Sequence, residues 1–258
     1  MANIVHMSDL ILYRKSAEDI LDFFKSNTIK NVEFFIEPLD EKYTDKMLKV
    51  LENYEYDSIT FHGPFRRFNM AIMTNDSWEK TWKSYEESFK IAQKYKPKYM
   101  VLHSNEALIN VEITEELKKR ILEKIDKIVK LGKKYDIEVA VENVGLNKSM
   151  IFSQEEYENI ILENNYAALI DIGHAFINNW DIYSLIKKLK NNIIGFHLHN
   201  NDGKYDQHKS IGEGNIDYNM VIEYIKKETS NAIIVLEYDF NENLNQVLKD
   251  YYDISANL

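Results

Sequence analysis

Seven histidines, and carboxylates set at the ends of apolar runs, are the residues of this 258-residue chain whose types and spacing suit chemistry. His62, His103, Glu142, Asp171 and Glu237 each close a short apolar run, and His174 lies just beyond Asp171. His197 and His199 end another run, with Asp206 and His208 in the loop that follows. There is no cysteine, which excludes thiolate metal sites, thiol nucleophiles and disulfide frameworks. A metal held here must therefore use His, Asp and Glu. Several imidazoles mixed with carboxylates favour zinc or manganese over magnesium, which prefers oxygen ligands and water. Glu142, Asp171, His197 and Glu237 suffice for one ion. With His62, His103, His174, Asp206 and His208 the candidates number nine, enough for two or three ions.

The elements that must position these groups alternate regularly. Eight apolar runs read as buried strands: Asn3–Ser8, Val32–Glu37, Ser58–His62, Tyr99–His103, Glu138–Glu142, Ala167–Asp171, Ile193–His199 and Ala232–Glu237. Amphipathic stretches between them read as helices. Ser16 with Asp19 and Ser153 with Glu156 have capping-box spacing, and Thr114–Tyr135 carries Leu117, Ile121, Ile125 and Ile128 on one face. A helix bracketed by Ser77 and Lys94 sets Trp78, Trp82, Tyr85 and Phe89 against the sheet. Shorter helices are expected at Thr44–Tyr54, Asp181–Leu189, Asp217–Lys227 and near Glu242–Tyr252. Eight strand–helix units without a Pro- or Gly-rich linker predict a single (β/α)8 TIM barrel over residues 1–258, as one domain. An open doubly wound sheet usually has a glycine-rich first loop, whereas this one reads Asp9-Leu10-Ile11-Leu12.

In such barrels catalytic groups come from the C-terminal strand ends. All seven histidines are expected at strand ends or in the loops after them. Chance would keep seven out of helices with a frequency of roughly 1 %, given that helices take about half of such a barrel. His6 and His199 are read as packing or orienting their neighbours and are left out of the cage. The adjacent Arg66 and Arg67 suit a substrate phosphate, since a guanidinium fork matches that geometry, though two solvated loop arginines would look the same. His174 has a second reading, as a partner of a sugar hydroxyl. Gly212-Glu213-Gly214 is a turn and not a nucleotide fingerprint. The net charge of −10 disfavours non-specific nucleic-acid binding. No run approaches a membrane span of ~18 residues and the N-terminus lacks a targeting pattern, so a cytoplasmic location with no membrane partner is expected.

At these residues the sequence resembles the xylose isomerase-like barrel superfamily, the AP endonuclease family 2 group. The matching stretches are His62-Gly63-Pro64, Val101-Leu102-His103, Val141-Glu142-Asn143, Asp171-Ile172-Gly173-His174, His197-Leu198-His199 and, most specific of all, Asp206 to Asp217. The resemblance implies one of two enzymes. In the sugar isomerase/epimerase branch one metal sits on the equivalents of Glu142, Asp171, His197 and Glu237, and the two glutamates move protons. In the endonuclease IV branch three zincs use all nine positions, and this chain keeps every one. Its DNA-reading loops depart from that branch: Phe34 to Asp40 is apolar then acidic, Phe65 replaces a tyrosine, Ser104-Asn105 lacks the usual Pro-Gly, and Asn143-Val144-Gly145 lacks the usual extended small-residue segment. The isomerase branch's arginine after the seventh-strand histidine is also missing. The leading expectation is a metal-dependent isomerase or epimerase of a sugar or sugar phosphate, holding one to three zinc or manganese ions. Glu142 and Glu237 are then catalytic, and His174, Arg66 and Arg67 bind substrate. The alternative is a phosphodiesterase acting on abasic DNA or a smaller phosphoester, the only reading with DNA as partner. No oligomeric state is assigned.

Overall fold

Eight parallel strands pair in chain order and close, β1 (Ile4–Ser8) against β8 (Ile233–Leu236). Between them run β2 (Asn31–Phe35), β3 (Ser58–His62), β4 (Met100–Leu102), β5 (Val139–Glu142), β6 (Ala167–Asp171) and β7 (Ile193–Leu198). The computed structural model describes residues 3–65, 70–71, 74–103 and 112–258. The helices that follow the strands are α1 (Ala17–Ser26), α2 (Glu41–Glu52), α3 (Asn75–Ala92), α4 (Glu115–Lys134), α5 (Gln154–Asn164), α6 (Ile172–Ile177), α7 (Ile182–Leu189), α8 (Tyr218–Glu228) and α9 (Leu244–Asn257). This is the single (β/α)8 barrel that the alternation predicts. Arg66 and Arg67 lie outside the described residues. No described helix is long and apolar enough to cross a membrane.

Strand alternation divides the core in two. Val5, Phe34, Phe61, Val141, Ile170 and Ile234 belong to the large cluster between sheet and helices. Tyr99, Val101, Ala140, Leu169, Ile233 and Val235 form a separate cluster, the packed interior expected of such a barrel. Successive side chains point to opposite faces, so residues two further on share the inward face. Stepping two along from Val101, Ala140, Leu169 and Val235 gives His103, Glu142, Asp171 and Glu237. The apolar plug and the polar rim are thus consecutive layers of the same inward-facing rows.

Local signals account for most helix starts. Ser16 and Ser153 form full capping boxes, and Thr114 Oγ1 accepts from Leu117 N at 3.2 Å. Helix α2 begins three residues earlier than Thr44, because Asp40 accepts from Tyr43 N at 3.0 Å and Tyr43 and Thr44 are already buried, as Met47, Val50 and Leu51 are. The segment after β1 is a 3-10 turn, Asp9–Leu12, rather than a plain loop. The aromatic stripe of α3 divides: Tyr85 and Phe89 are buried against the sheet, while Trp78 and Trp82 are only partly covered and line a hollow with Lys127.

Candidate metal centre

The rim residues meet around His197. Its Nδ1 lies 3.2 Å from Glu237 Oε2, 3.7 Å from Glu142 Oε1 and 3.8 Å from Asp171 Oδ2. All four side chains are buried. Two ligands bound at ~2.0–2.2 Å to one tetrahedral ion stand ~3.4 Å apart, and the three separations bracket that spacing. His197 Nδ1 and both Glu142 oxygens are also buried without a hydrogen bond of acceptable geometry. Unpartnered buried polar atoms are rare and need a reason, and donors of this kind fit a divalent cation.

Two further groups flank this one. On the β3–β4 side, His62 Nε2 is 3.0 Å from His103 Nε2, which is 2.8 Å from Glu142 Oε2. On the β6–β7 side, Asp206 Oδ2 lies 3.4 Å from His174 Nε2 and 3.2 Å from His208 Nε2, and Asp206 Oδ1 lies 3.6 Å from His199 Nε2. The structure thus brings all nine candidate ligands to one rim. It corrects one expectation: His174 is helical. Asp171 Oδ1 accepts from His174 N at 2.6 Å and caps α6 directly after β6, so a short helix stands where a loop was expected. Gly173 makes this turn possible, because a Cβ there would come 2.1 Å from His199 Cε1.

Sequence reasoning passed over several residues. His199, set aside as packing, stacks on His208 with centroids 3.8 Å apart and places Nε2 3.1 Å from Asp171 Oδ2. Asn143 locks β5 to β6, accepting from Asp171 N at 2.7 Å and donating to Asp171 O at 2.9 Å. Asn200 braces the histidine-bearing loop through Ile211 O at 2.7 Å and Ile216 N at 3.0 Å. In that loop His208 adopts a left-handed backbone, φ 45°, a conformation that costs a non-glycine residue stability and is held by its surroundings. Glu33 on β2 is fully buried and accepts from His197 Nε2 at 2.8 Å. Its signal was a lone carboxylate inside the apolar run Val32–Phe35, on an inward position.

Electrostatics follow from this crowding. Burial and then His103 push His62 down to about 3, so it is neutral. Burial opposes charge on His208, but Asp206, then Glu237 and Asp171, outweigh it and push the pKa up to about 10. His174 and His197 are likewise raised against burial by their carboxylates. Burial works to raise Glu142, Asp206 and Glu237, yet histidines hold all three below the usual carboxylate range. Without a cation, then, protons on histidines offset the carboxylates. The raised His208 contributes stability in full below its ordinary 6.5 and loses it as pH climbs toward about 10. The lowered carboxylates contribute above their ordinary values, ~4, and lose that contribution in acid. A bound cation replaces the histidine protons, so its stabilisation should grow with pH. The unfolding midpoint of chelator-treated protein should fall from pH 6.5 upward, and the gap to zinc-loaded protein should widen between about pH 6 and 8.5. Paired thermal melts measure this; a gap that narrows would contradict it.

A closed parallel α/β barrel with carboxylates and histidines on the C-terminal rim defines a class of metal-capable barrels. The sequence profile described as "Xylose isomerase-like TIM barrel" matches residues 19–251, and the chain belongs to that family. An uncharacterised protein of Methanocaldococcus jannaschii is 22 % identical over 242 residues, covering 93 % of this chain and 94 % of that protein. Among solved structures, a D-tagatose 3-epimerase-like protein superposes with a TM-score of 0.80 at 22 % identity, covering 98 % of both chains. The IolI protein with a bound zinc atom superposes with a TM-score of 0.75 at 14 % identity, covering 98 % of this chain and 97 % of that one. At these identities the likeness to solved structures is one of fold.

Proposed function

We propose that this chain is a divalent-metal-dependent isomerase or epimerase of a sugar or sugar phosphate. The observation that carries the reading is the unpartnered His197 Nδ1 facing Glu142, Asp171 and Glu237 at ligand spacing. These four residues would hold the ion, zinc or manganese. When bound, it supplies a positive charge that polarises a sugar carbonyl and acidifies the adjoining C–H. Glu142 takes the proton from the carbon beside the carbonyl, and Glu237 returns one to the other face, which inverts that carbon. Return of the proton to the neighbouring carbon gives isomerisation instead. His174, whose Nδ1 meets Asn143 O at 3.2 Å and Glu142 Oε1 at 3.3 Å, would offer its Nε2 edge to a sugar hydroxyl next to the base. The similar folds of an epimerase-like protein and a zinc-holding protein support the reading.

Proton abstraction in heavy water gives the test. Zinc- or manganese-loaded protein should wash deuterium into the carbon beside the carbonyl of at least one ketose or ketose phosphate, followed by proton NMR, and chelator should stop the exchange. A broad panel with no exchange would count against the reading. A second reading, phosphodiester hydrolysis by two or three ions, is favoured by one observation: the Asp206 group also has ligand-like separations, 3.2–3.6 Å.

A further inference from the structure

The interior of this barrel holds a carboxylate that the proposed chemistry leaves unused. Glu33 is fully buried one inward position below the rim of β2. A buried ion costs several kcal/mol in desolvation, and an apolar replacement is often at least as stable. A carboxylate kept there needs another reason, and its hydrogen bonds supply one. Glu33 Oε2 accepts from Thr60 Oγ1 at 2.9 Å, and Glu33 Oε1 accepts from His197 Nε2 at 2.8 Å. Thr60 has one proton, which it gives to Glu33. It must therefore accept from His6 Nδ1, 3.2 Å away, and His6 Nε2 is left buried without a partner. The donor directions run one way from His6 to Thr60 to Glu33, and both Glu33 oxygens are used as acceptors. The proton on His197 facing Glu33 is fixed on Nε2. The remaining nitrogen, Nδ1, then presents its lone pair to a cation between Glu142, Asp171 and Glu237.

We propose that Glu33 is a positioning residue for the cation: it holds His197 in the Nε2–H tautomer and in one ring orientation, while Thr60 and His6 anchor it from behind. The proposal rests on the metal-centre reading above and adds the residue that sets its affinity. A carboxylate behind a metal-bound imidazole fixes the tautomer and raises ligand basicity, and loss of such a partner lowers affinity ~10–100-fold. Thr60 and His6 are within hydrogen-bond reach of none of the candidate ligands except through Glu33 and each other.

The test uses the full-length protein and Zn2+ alone, read by competition with a chelator dye. Glu33→Ala should weaken Zn2+ binding ~100-fold. Glu33→Gln keeps an acceptor for His197 but not the charge, and should lose about 10-fold or less. Circular dichroism checks that each variant folds. The second readout is 15N–1H NMR of histidine-labelled, zinc-loaded protein: the His197 Nε2–H proton, given to Glu33, should resonate far downfield and exchange slowly with water in wild type, keep slow exchange in Glu33→Gln, and lose both features in Glu33→Ala. If Glu33 were only a packing residue, affinity would fall with stability while the His197 Nε2–H signal stayed unchanged, and that result overturns the proposal. Equal Zn2+ affinity in wild type and Glu33→Ala overturns it too, and leaves the metal centre standing. No Zn2+ uptake by the wild type removes the metal centre, and this proposal with it.

Discussion

Glu142→Gln and Glu237→Gln should each slow complete turnover of the sugar by ~10²–10⁴-fold, the span that general acid–base groups contribute. Glutamine matches glutamate in size, so the buried rim keeps its packing, but an amide cannot accept the proton. Both glutamates are also candidate ligands, so part of the loss could come from a weakened ion. The measurement therefore has two parts. Zinc affinity is titrated first, and turnover and exchange rates are then compared at saturating metal. The two carboxylates should not behave as copies. Glu142 is flanked by His103, His174 and His197, whereas Glu237 has His197 and His208 at 3.2 and 3.6 Å. If they serve opposite faces of the sugar, each variant should retain the half-reaction handled by the other: Glu237→Gln should exchange on one face without completing inversion. Wild-type turnover in either variant at saturating metal would refute its role.

Much of the barrel is legible in the sequence because its signals are local. Eight buried strands show as eight apolar runs, and the helices between them carry their caps in the first turn, as Ser16, Thr114 and Ser153 do. The rim is legible for a related reason. A strand that is apolar on both faces and then ends in Glu142 or Asp171 announces a change of layer, and the pleat decides which way that last residue points. What stayed hidden is set by contacts between distant segments. Glu33 meets His197 across 164 positions, and no periodicity within β2 says which side chain will stand opposite. His174 stands in a helix and not in a loop because Asp171 serves twice: one oxygen caps α6 and the other faces His199 and His197. His199 was undervalued for the opposite reason. Its parity made it inward-facing like His197, but only the fold of the Asp206–His208 loop over it gives that position a cluster to join.

The number of ions separates the two enzyme readings, and one essential ion is the expected outcome. In the group around His197, three carboxylates face one imidazole nitrogen at ligand spacing, and buried oxygens lack hydrogen bonds. The His62–His103–Glu142 group differs: its contacts of 3.0 and 2.8 Å are shorter than the ~3.4 Å that separates two ligands of one tetrahedral ion, and its one carboxylate, Glu142, is shared with the first group. The Asp206 group has suitable spacing but a single carboxylate for three histidines. A second divalent charge there would be only half offset and would lie close to a first ion. Metal analysis of purified protein should therefore give about one ion per chain, and His103→Ala and His208→Ala should leave that ratio nearly unchanged. Removing the tight ion should have a large effect on stability. An ion present at 1,000 times its dissociation constant contributes about 4 kcal/mol, equivalent to ~8–16 °C in melting temperature for a chain near this size. A chelator should lower the midpoint by that amount in wild type and equally in His208→Ala, since the tight site is intact in both. Two or three ions per chain, each lost with His103→Ala or His208→Ala, together with cleavage of an abasic duplex and no proton exchange on any ketose, would make the hydrolase reading the better one. The half-buried Asp40 after β2 argues against that result, because a DNA backbone approaching the rim from that side would meet like charge.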